Sequence, residues 1–150
     1  PEQHDADSQD FSNELKGFIS QNNLQETVFL HGATNKVVES LQSGHFVIVA
    51  SENEPCSVSL MESLALGLPA LAARSGGNVD IVKDGETGIL FENGSAEDLK
   101  NKIISIRNGK VNIRSAVEIR ESVRGWAAGT MTEKYNRIYD HMAQLNSIKL

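Results

Sequence analysis

Two glutamates, Glu54 and Glu62, lie eight positions apart within the stretch Ser51–Pro69, on either side of the predicted start of an apolar helix. The first amides of a helix have no partner within the helix, and together with the positive end of the helix dipole they bind phosphate. A carboxylate can accept hydrogen bonds from two neighbouring sugar hydroxyls. The stretch therefore suggests a ligand that carries both phosphate and sugar, such as a nucleotide sugar.

Composition and charge exclude several other kinds of partner. The chain has 150 residues, 39% of them hydrophobic, which suits one domain with one core. A net charge of -6 without a cluster of Lys or Arg argues against binding nucleic acid. The single cysteine, Cys56, excludes an internal disulfide and fits a reducing compartment. We expect a cytoplasmic protein, either free or peripheral at the inner membrane face, because no apolar run reaches the ~20 residues of a membrane helix.

Short apolar runs alternate with segments of helical periodicity along the chain. This alternation predicts an α/β fold with a Rossmann-like parallel sheet and helices on both faces, whose ligands bind beyond the carboxyl ends of the strands. The loop Ser51–Ser57 lies at such an end. The predicted strands are 28–30, 46–50, 70–73 and 89–91, and the predicted helices are 11–22, 37–41, 57–66, 79–83 and 95–106.

The segment beyond Gly109 is predicted to be helical and free of strands. It contains an apolar stripe at a four-three-four-three spacing, which is typical of one helix face. Packing of this stripe on the chain's own sheet is the favoured interpretation, and docking on a partner surface is the alternative. The stripe consists of Met131, Tyr135, Ile138, Met142 and Leu145.

Several motifs occur in register along the chain and together resemble one family. From about Leu15 to Tyr139 the chain is similar to the C-terminal, nucleotide-binding half of a GT-B glycosyltransferase. The family in question is the large retaining one that includes bacterial mannosyltransferases, sucrose synthases and glycogen synthases. The matching pieces are Val28–Gly32, Phe46–Ser51, the pair Glu54 and Glu62 as an E-x7-E motif, Leu66–Ala70, Ser75–Asn78 and Asp84–Gly88.

The resemblance implies a role for each matching position. Glu54 would lie beside the donor sugar as the catalytic-site carboxylate, and Glu62 would bind the ribose hydroxyls. The amides at the helix start would face the diphosphate, and the loop after residue 30 would contact the base. The family does not generally need a bound metal, so no cofactor is expected besides the nucleoside diphosphate sugar. The donor-binding positions are Cys56, Ser57, Val58, Glu62, Gly32 and Thr34.

The chain departs from the family pattern in two ways. Pro55-Cys56-Ser57 stands where the family usually has Gly-Phe-Gly, which removes one amide that would face phosphate. In the family, the donor domain begins with two strands that are accompanied by an Arg and a Lys, and this sequence contains no counterpart of them. We therefore expect residues 1–125 to form an incomplete donor-binding domain, and residues 126–150 a helix that packs on the missing N-terminal half or another chain. Such a chain would be a fragment, inactive alone, or would be completed by another polypeptide.

The activity implied by the resemblance is transfer of a sugar, with retention of configuration, from a nucleoside diphosphate sugar to a glycan or lipid-linked acceptor. Two alternatives stay open. One is a nucleotide-sugar epimerase of GT-B fold, and the other is a non-catalytic binding or scaffolding subunit that docks through the stripe between Met131 and Leu145. The identities of the base, sugar and acceptor are also open.

Overall fold

The computed structural model describes residues 2–147, which fall into two compact units. The first unit extends to Asn35 and contains helix α1 (Glu2–Gln21) followed by turns and irregular backbone. The second unit begins at Lys36 and holds the sheet. Its elements are α2 (Val37–Gln42), β1 (Val47–Val49), α3 (Val58–Ala65), β2 (Ala70–Ala73), α4 (Asn78–Ile81), β3 (Gly88–Phe91), α5 (Ala96–Arg107), α6 (Ala116–Ser122), a 3-10 turn (Arg124–Trp126) and α7 (Ala128–Ser147).

Three parallel strands form the sheet in the order β1-β2-β3. Val47 pairs with Ala70, and Ala70 pairs in turn with Gly88. Parallel strands require crossover connections, and α3 and α4 occupy the segments between them. The predicted α/β class and parallel sheet are confirmed.

Strand β2 is central and buried along its whole length. Ala70 and Ala72 point into a cluster with residues of α3, α4 and α6, whereas Leu71 and Ala73 point into a second cluster against α5. This alternation follows from the two-residue period of a strand. Helices therefore cover both faces of the sheet, as predicted. Strand β1 lies at the edge, where Ile48 is half exposed.

The prediction of a buried strand at residues 28–30 is wrong. These residues are irregular, and the side chains of Val28, Phe29 and Leu30 are all exposed. The amides of Thr27 and Val28 instead donate to the Leu24 carbonyl, which closes a turn after α1. An apolar run becomes a strand only where a neighbouring strand accepts its backbone hydrogen bonds, and β1 pairs with β2 alone among the described residues.

The segment after Gly109 is helical, as predicted, and forms α6, the 3-10 turn and α7. The favoured interpretation of its apolar stripe, packing on the chain's own sheet, is wrong. Met131 is half-buried, but Tyr135, Ile138, Met142 and Leu145 are each at least 50% exposed. The stripe on α7 is therefore an apolar surface that the described part of the chain leaves open to solvent.

Candidate functional site

The loop between β1 and α3 places the predicted site at the carboxyl edge of the sheet. Its last residue, Ser57, is the N-cap of α3, and its Oγ accepts a hydrogen bond of 3.4 Å from the Leu60 amide. Ser57 is 3% exposed, and its side chain caps the helix. The neighbouring Val58 is 60% exposed at the first position of the helix.

Glu54 lies immediately before this helix start. Its carboxylate Oε1 accepts a hydrogen bond of 3.3 Å from the amide of Cys56. Glu54 is half-buried, whereas Cys56 is exposed. The structure therefore brings Glu54, Cys56, Ser57 and Val58 together at the N-terminal end of α3. There the backbone amides provide a positive potential and Glu54 provides a negative charge.

Glu62 lies on the exposed side of α3, one helical turn beyond Val58. It lines a groove of about 600 Å³ between α3 and the segment that contains α6 and the 3-10 turn. Arg120 of α6 joins the two sides of this groove. Its Nε and Nη2 donate to the carbonyls of Ala65 and Leu66 at the end of α3, each at 3.2 Å. The sequence predicted Glu62 as a ligand but gave no sign of the groove.

A second cavity, of about 400 Å³, lies directly at the helix start. Met61 and Trp126 line both this cavity and the groove beside Glu62. Glu62 and the two loop residues that directly follow Glu54 therefore line adjoining spaces, whose volumes are in the range of small-ligand sites. The second cavity is lined by Pro55, Cys56, Met61, Gly77, Asp80, Ile81, Trp126 and Met131.

The loop after β2, residues 74–77, packs directly against the loop that carries Glu54. The Asn53 amide donates to Ser75 Oγ and the Gly77 amide donates to the Glu54 carbonyl, each at 2.8 Å. The motif Ser75–Asn78 was recognised in the sequence, but its contact with Glu54 was not. No periodicity or spacing could have revealed this contact, because the pairing of β1 with β2 is what brings the two loops side by side.

The remaining predicted donor-binding residues, Gly32 and Thr34, belong to the first unit, in the irregular backbone that precedes Asn35. Among the side chains that the structure describes, those of residues 9–145, no group of three or more His, Cys, Asp or Glu is arranged to hold a metal ion. In the same part of the chain, no helix combines the length and apolar character needed to span a bilayer.

Comparison with known proteins identifies the family. Residues 6–125 match the family model described as glycosyl transferases group 1, which covers most of the chain. The chain belongs to this family, and the resemblance inferred from its motifs is confirmed.

Several characterised proteins are similar to this chain in sequence. The sulfoquinovosyl transferase SQD2 of Arabidopsis thaliana is 33% identical over 105 residues, which cover 68% of this chain and 19% of the relative. A glycogen synthase of Xanthomonas axonopodis pv. citri is also 33% identical, over 65% of this chain and 21% of the relative. The N-acetyl-alpha-D-glucosaminyl L-malate synthase of Bacillus anthracis is 25% identical over 77% of this chain and 31% of the relative. The chain thus spans less than a third of the length of these relatives.

Solved structures show the same fold. A glycosyltransferase from Rickettsia africae superimposes with a TM-score of 0.76 at 24% identity, covering 89% of this chain and 37% of the other. Anabaena HepE in complex with UDP-glucose gives a TM-score of 0.70 at 23% identity, covering 91% of this chain and 37% of the other. The fold is that of a GT-B glycosyltransferase, of which this chain represents part.

Proposed function

We propose that this chain is the donor-binding part of a retaining glycosyltransferase that transfers a sugar from a nucleoside diphosphate sugar to a glycan or lipid-linked acceptor. Membership of the group 1 family supports sugar transfer. The fold shared with HepE, which was solved with UDP and with UDP-glucose, supports a nucleotide-sugar donor.

One observation carries the proposal. The start of α3 opens at the carboxyl edge of the sheet, with Glu54 on one side and Glu62 in the adjoining groove. In the proposed complex the amides of Cys56, Ser57 and Val58 face the diphosphate. The donor sugar then lies beside Glu54 and the ribose beside Glu62, in the order in which these groups occur along the ligand.

The proposed chemistry uses this arrangement at the leaving group. As the glycosidic bond to phosphate breaks, negative charge grows on the diphosphate, and amides fixed at a helix start stabilise that charge without reorganising. In a front-face mechanism the acceptor hydroxyl gives its proton to the leaving phosphate, and its oxygen bonds to the anomeric carbon on the face from which the phosphate departs, so the configuration is retained. Glu54 accepts hydrogen bonds from the sugar hydroxyls and orients the reacting carbon.

The base and the acceptor would be bound by other parts of the protein. The backbone around Gly32 and Thr34 is the proposed base-binding loop. The exposed stripe on α7 supports the proposal that residues 126–150 pack on the acceptor-binding half or on another chain. In this proposal the chain alone is inactive. The proposed location is cytoplasmic, with association at the inner membrane face if the acceptor is lipid-linked.

Calorimetric titration with UDP, GDP and ADP tests the donor site. The wild type should bind one of these nucleotides, and Glu62→Gln should weaken that binding by about tenfold or more, because hydrogen bonds to a charged carboxylate contribute about 1.5 to 3 kcal/mol. Glu133→Gln, on the exposed surface of α7, is the matched control and should bind as the wild type does.

Each other outcome has a distinct meaning. Equal binding by the wild type and Glu62→Gln would contradict the ribose role of Glu62. No binding of any nucleotide by the wild type would contradict the donor site itself and favour a scaffolding subunit. When the acceptor-binding half is supplied, release of nucleotide together with a glycosylated acceptor would separate a transferase from an epimerase.

A further inference from the structure

We propose that Ser75, Gly76 and Gly77 are positioning residues for Glu54, and that they fix the β1–α3 loop from the side of the neighbouring strand. This inference rests on the proposed function, because it specifies what holds the sugar-binding carboxylate in place. It concerns the three residues that precede α4, to which the donor-binding roles above assign no function.

Two hydrogen bonds join the loops on either side of Glu54. Ser75 Oγ accepts from the Asn53 amide at 2.8 Å, and the Glu54 carbonyl accepts from the Gly77 amide at 2.8 Å. Asn53 has a φ of 54°, a left-handed conformation that is uncommon for a residue other than glycine. Asparagine adopts this conformation more readily than most residues besides glycine, and the bond from Ser75 adds a tertiary restraint on it.

The two glycines bring the backbones closer than any side chain would allow. A Cβ at Gly76 would overlap the Glu54 carbonyl oxygen, and a Cβ at Gly77 would overlap the Pro55 carbonyl oxygen. Gly76 also has a φ of 50°, which favours glycine. The absence of side chains at these two positions is thus a condition for the contact with the loop of Glu54.

The positioning loop is itself anchored in the core. Asn78 is completely buried, and its Nδ2 donates 3.1 Å to the carbonyl of Ala73, the last residue of β2. Ser75 is 8% exposed and its amide donates to the same carbonyl at 2.8 Å. The central strand therefore fixes residues 75–77, and these residues fix Glu54.

Hydrogen exchange measured by mass spectrometry tests the contact without a ligand. Ser75→Ala and Gly76→Ala should each increase deuterium uptake in residues 51–57, and Ser75→Thr, which keeps the hydroxyl, should restore protection. Gly85→Ala is the matched control for Gly76→Ala. Gly85 also has a positive φ, of 77°, but a Cβ there would meet nothing within 4 Å. Uptake that is unchanged in Gly76→Ala relative to Gly85→Ala would overturn the inference.

Affinity for UDP-glucose and for UMP separates positioning from general stability. Ser75→Ala and Gly76→Ala should weaken binding of UDP-glucose by about tenfold, because misplacing Glu54 affects the sugar, and should leave binding of UMP within about twofold. An equal loss of affinity for both ligands would indicate a merely structural role of Ser75 and Gly76. It would overturn the inference, while the proposed function would stand. If the titration with UDP, GDP and ADP selects another base, the corresponding nucleoside diphosphate glucose and nucleoside monophosphate replace UDP-glucose and UMP. If the wild type bound none of the three nucleotides, the proposed donor site would fail and this inference with it.

Discussion

Helices α3 and α5 have the same kinds of ends but different surroundings. Each begins after a serine N-cap, Ser57 or Ser95, whose side chain accepts from a first-turn amide. Each ends with a glycine at positive φ, Gly67 or Gly109. In both, the amide of that glycine and the next amide bond back to carbonyls of the last turn, which is the Schellman motif.

The two helices differ in the charge at their starts. The first turn of α5 contains Glu97 and Asp98, and Asp98 Oδ2 also accepts 2.8 Å from the Glu92 amide. The first turn of α3 contains no acidic residue. Acidic side chains of α5 itself thus neutralise the positive end of its dipole. The positive end of the α3 dipole has only one carboxylate beside it, that of Glu54, which lies outside the helix.

They also differ in burial. Helix α3 buries Leu60, Ser63 and Leu64, whereas α5 has no fully buried residue. A helix fixed in the core can keep an uncompensated positive end, because its packing does not depend on that end. The comparison supports the proposal that the anion for α3 comes from a ligand.

The largest expected effect is at the ends of the two helices. A Cβ at Gly67 would lie 2.6 Å from the carbonyl oxygen of Ala116, whereas one at Gly109 would meet nothing within 4 Å. Gly67→Ala should lower the free energy of unfolding by about 3 kcal/mol through both steric overlap and positive φ. Gly109→Ala should lower it by about 1 kcal/mol, through φ alone. Urea denaturation measures both, and equal losses would show that α3 is no more tightly packed than α5.

The next effect concerns the N-caps. Ser57→Ala should cost about 2 kcal/mol and Ser95→Ala about 1 kcal/mol, because the cap of α3 is buried and that of α5 is not. Thermal denaturation of both variants gives the difference. A larger loss of stability in Ser95→Ala than in Ser57→Ala would contradict the view that α3 is the structural support of the site.

A charge placed in the first turn of α3 would remove the contrast between the helices. Val58→Glu should stabilise the fold by about 0.5 kcal/mol by interacting with the helix dipole. The same change should weaken nucleotide binding by about tenfold, since the new carboxylate repels the diphosphate. Ala96→Glu at the start of α5 is the control and should leave nucleotide affinity unchanged. Unaltered affinity in Val58→Glu, measured by calorimetry, would mean that phosphate does not lie at this helix start.

The smallest effect concerns α6, which has a complete capping box between Ser115 and Glu118. Hydrogen bonds from the side chain and backbone of Ser115 lower the pKa of Glu118 below its ordinary value of 4.5. A lowered pKa means that the carboxylate stabilises the fold above about pH 4.5, and that this contribution is lost as the pH falls through the lowered pKa. The stability difference between the wild type and Glu118→Gln should therefore be present at pH 7 and vanish in acid.

Nuclear magnetic resonance titration checks the cause of this pKa. Ser115→Ala removes the hydroxyl that donates 2.6 Å to Glu118 Oε2, so the pKa should move back toward 4.5. A Glu118 pKa that does not change in Ser115→Ala would show that another group lowers it.

Local sequence signals predicted much of the second unit. The buried run at β2 and the Ser95 cap of α5 gave these elements within a residue or two, because an apolar run and a capping serine act over a few neighbouring positions. The apolar run at Val28–Leu30 has the same local signal as β2 but forms no strand. A strand depends on a partner that no local pattern specifies.

The candidate site divides in the same way. Glu54 and Glu62 could be predicted as site residues from the sequence because both lie within one or two turns of a predictable helix start. The groove beside Glu62 was not found, since Arg120 and Trp126 are far along the chain. The contact of Ser75 and Gly76 with the loop of Glu54 was also missed. These residues are about twenty positions apart in the chain, and only the pairing of β1 with β2 brings them together.

The sequence by itself determined the family, the alternation of strands and helices, and the two carboxylates flanking α3, because periodicity, caps and motifs are properties of adjacent residues. Only the tertiary structure decided which apolar segments are buried, and which loops touch at the carboxyl edge of the sheet. Burial and contact depend on surfaces that residues distant in the chain supply. The exposed stripe on α7 and the backbone contact between Glu54 and Gly77 are the two clearest cases.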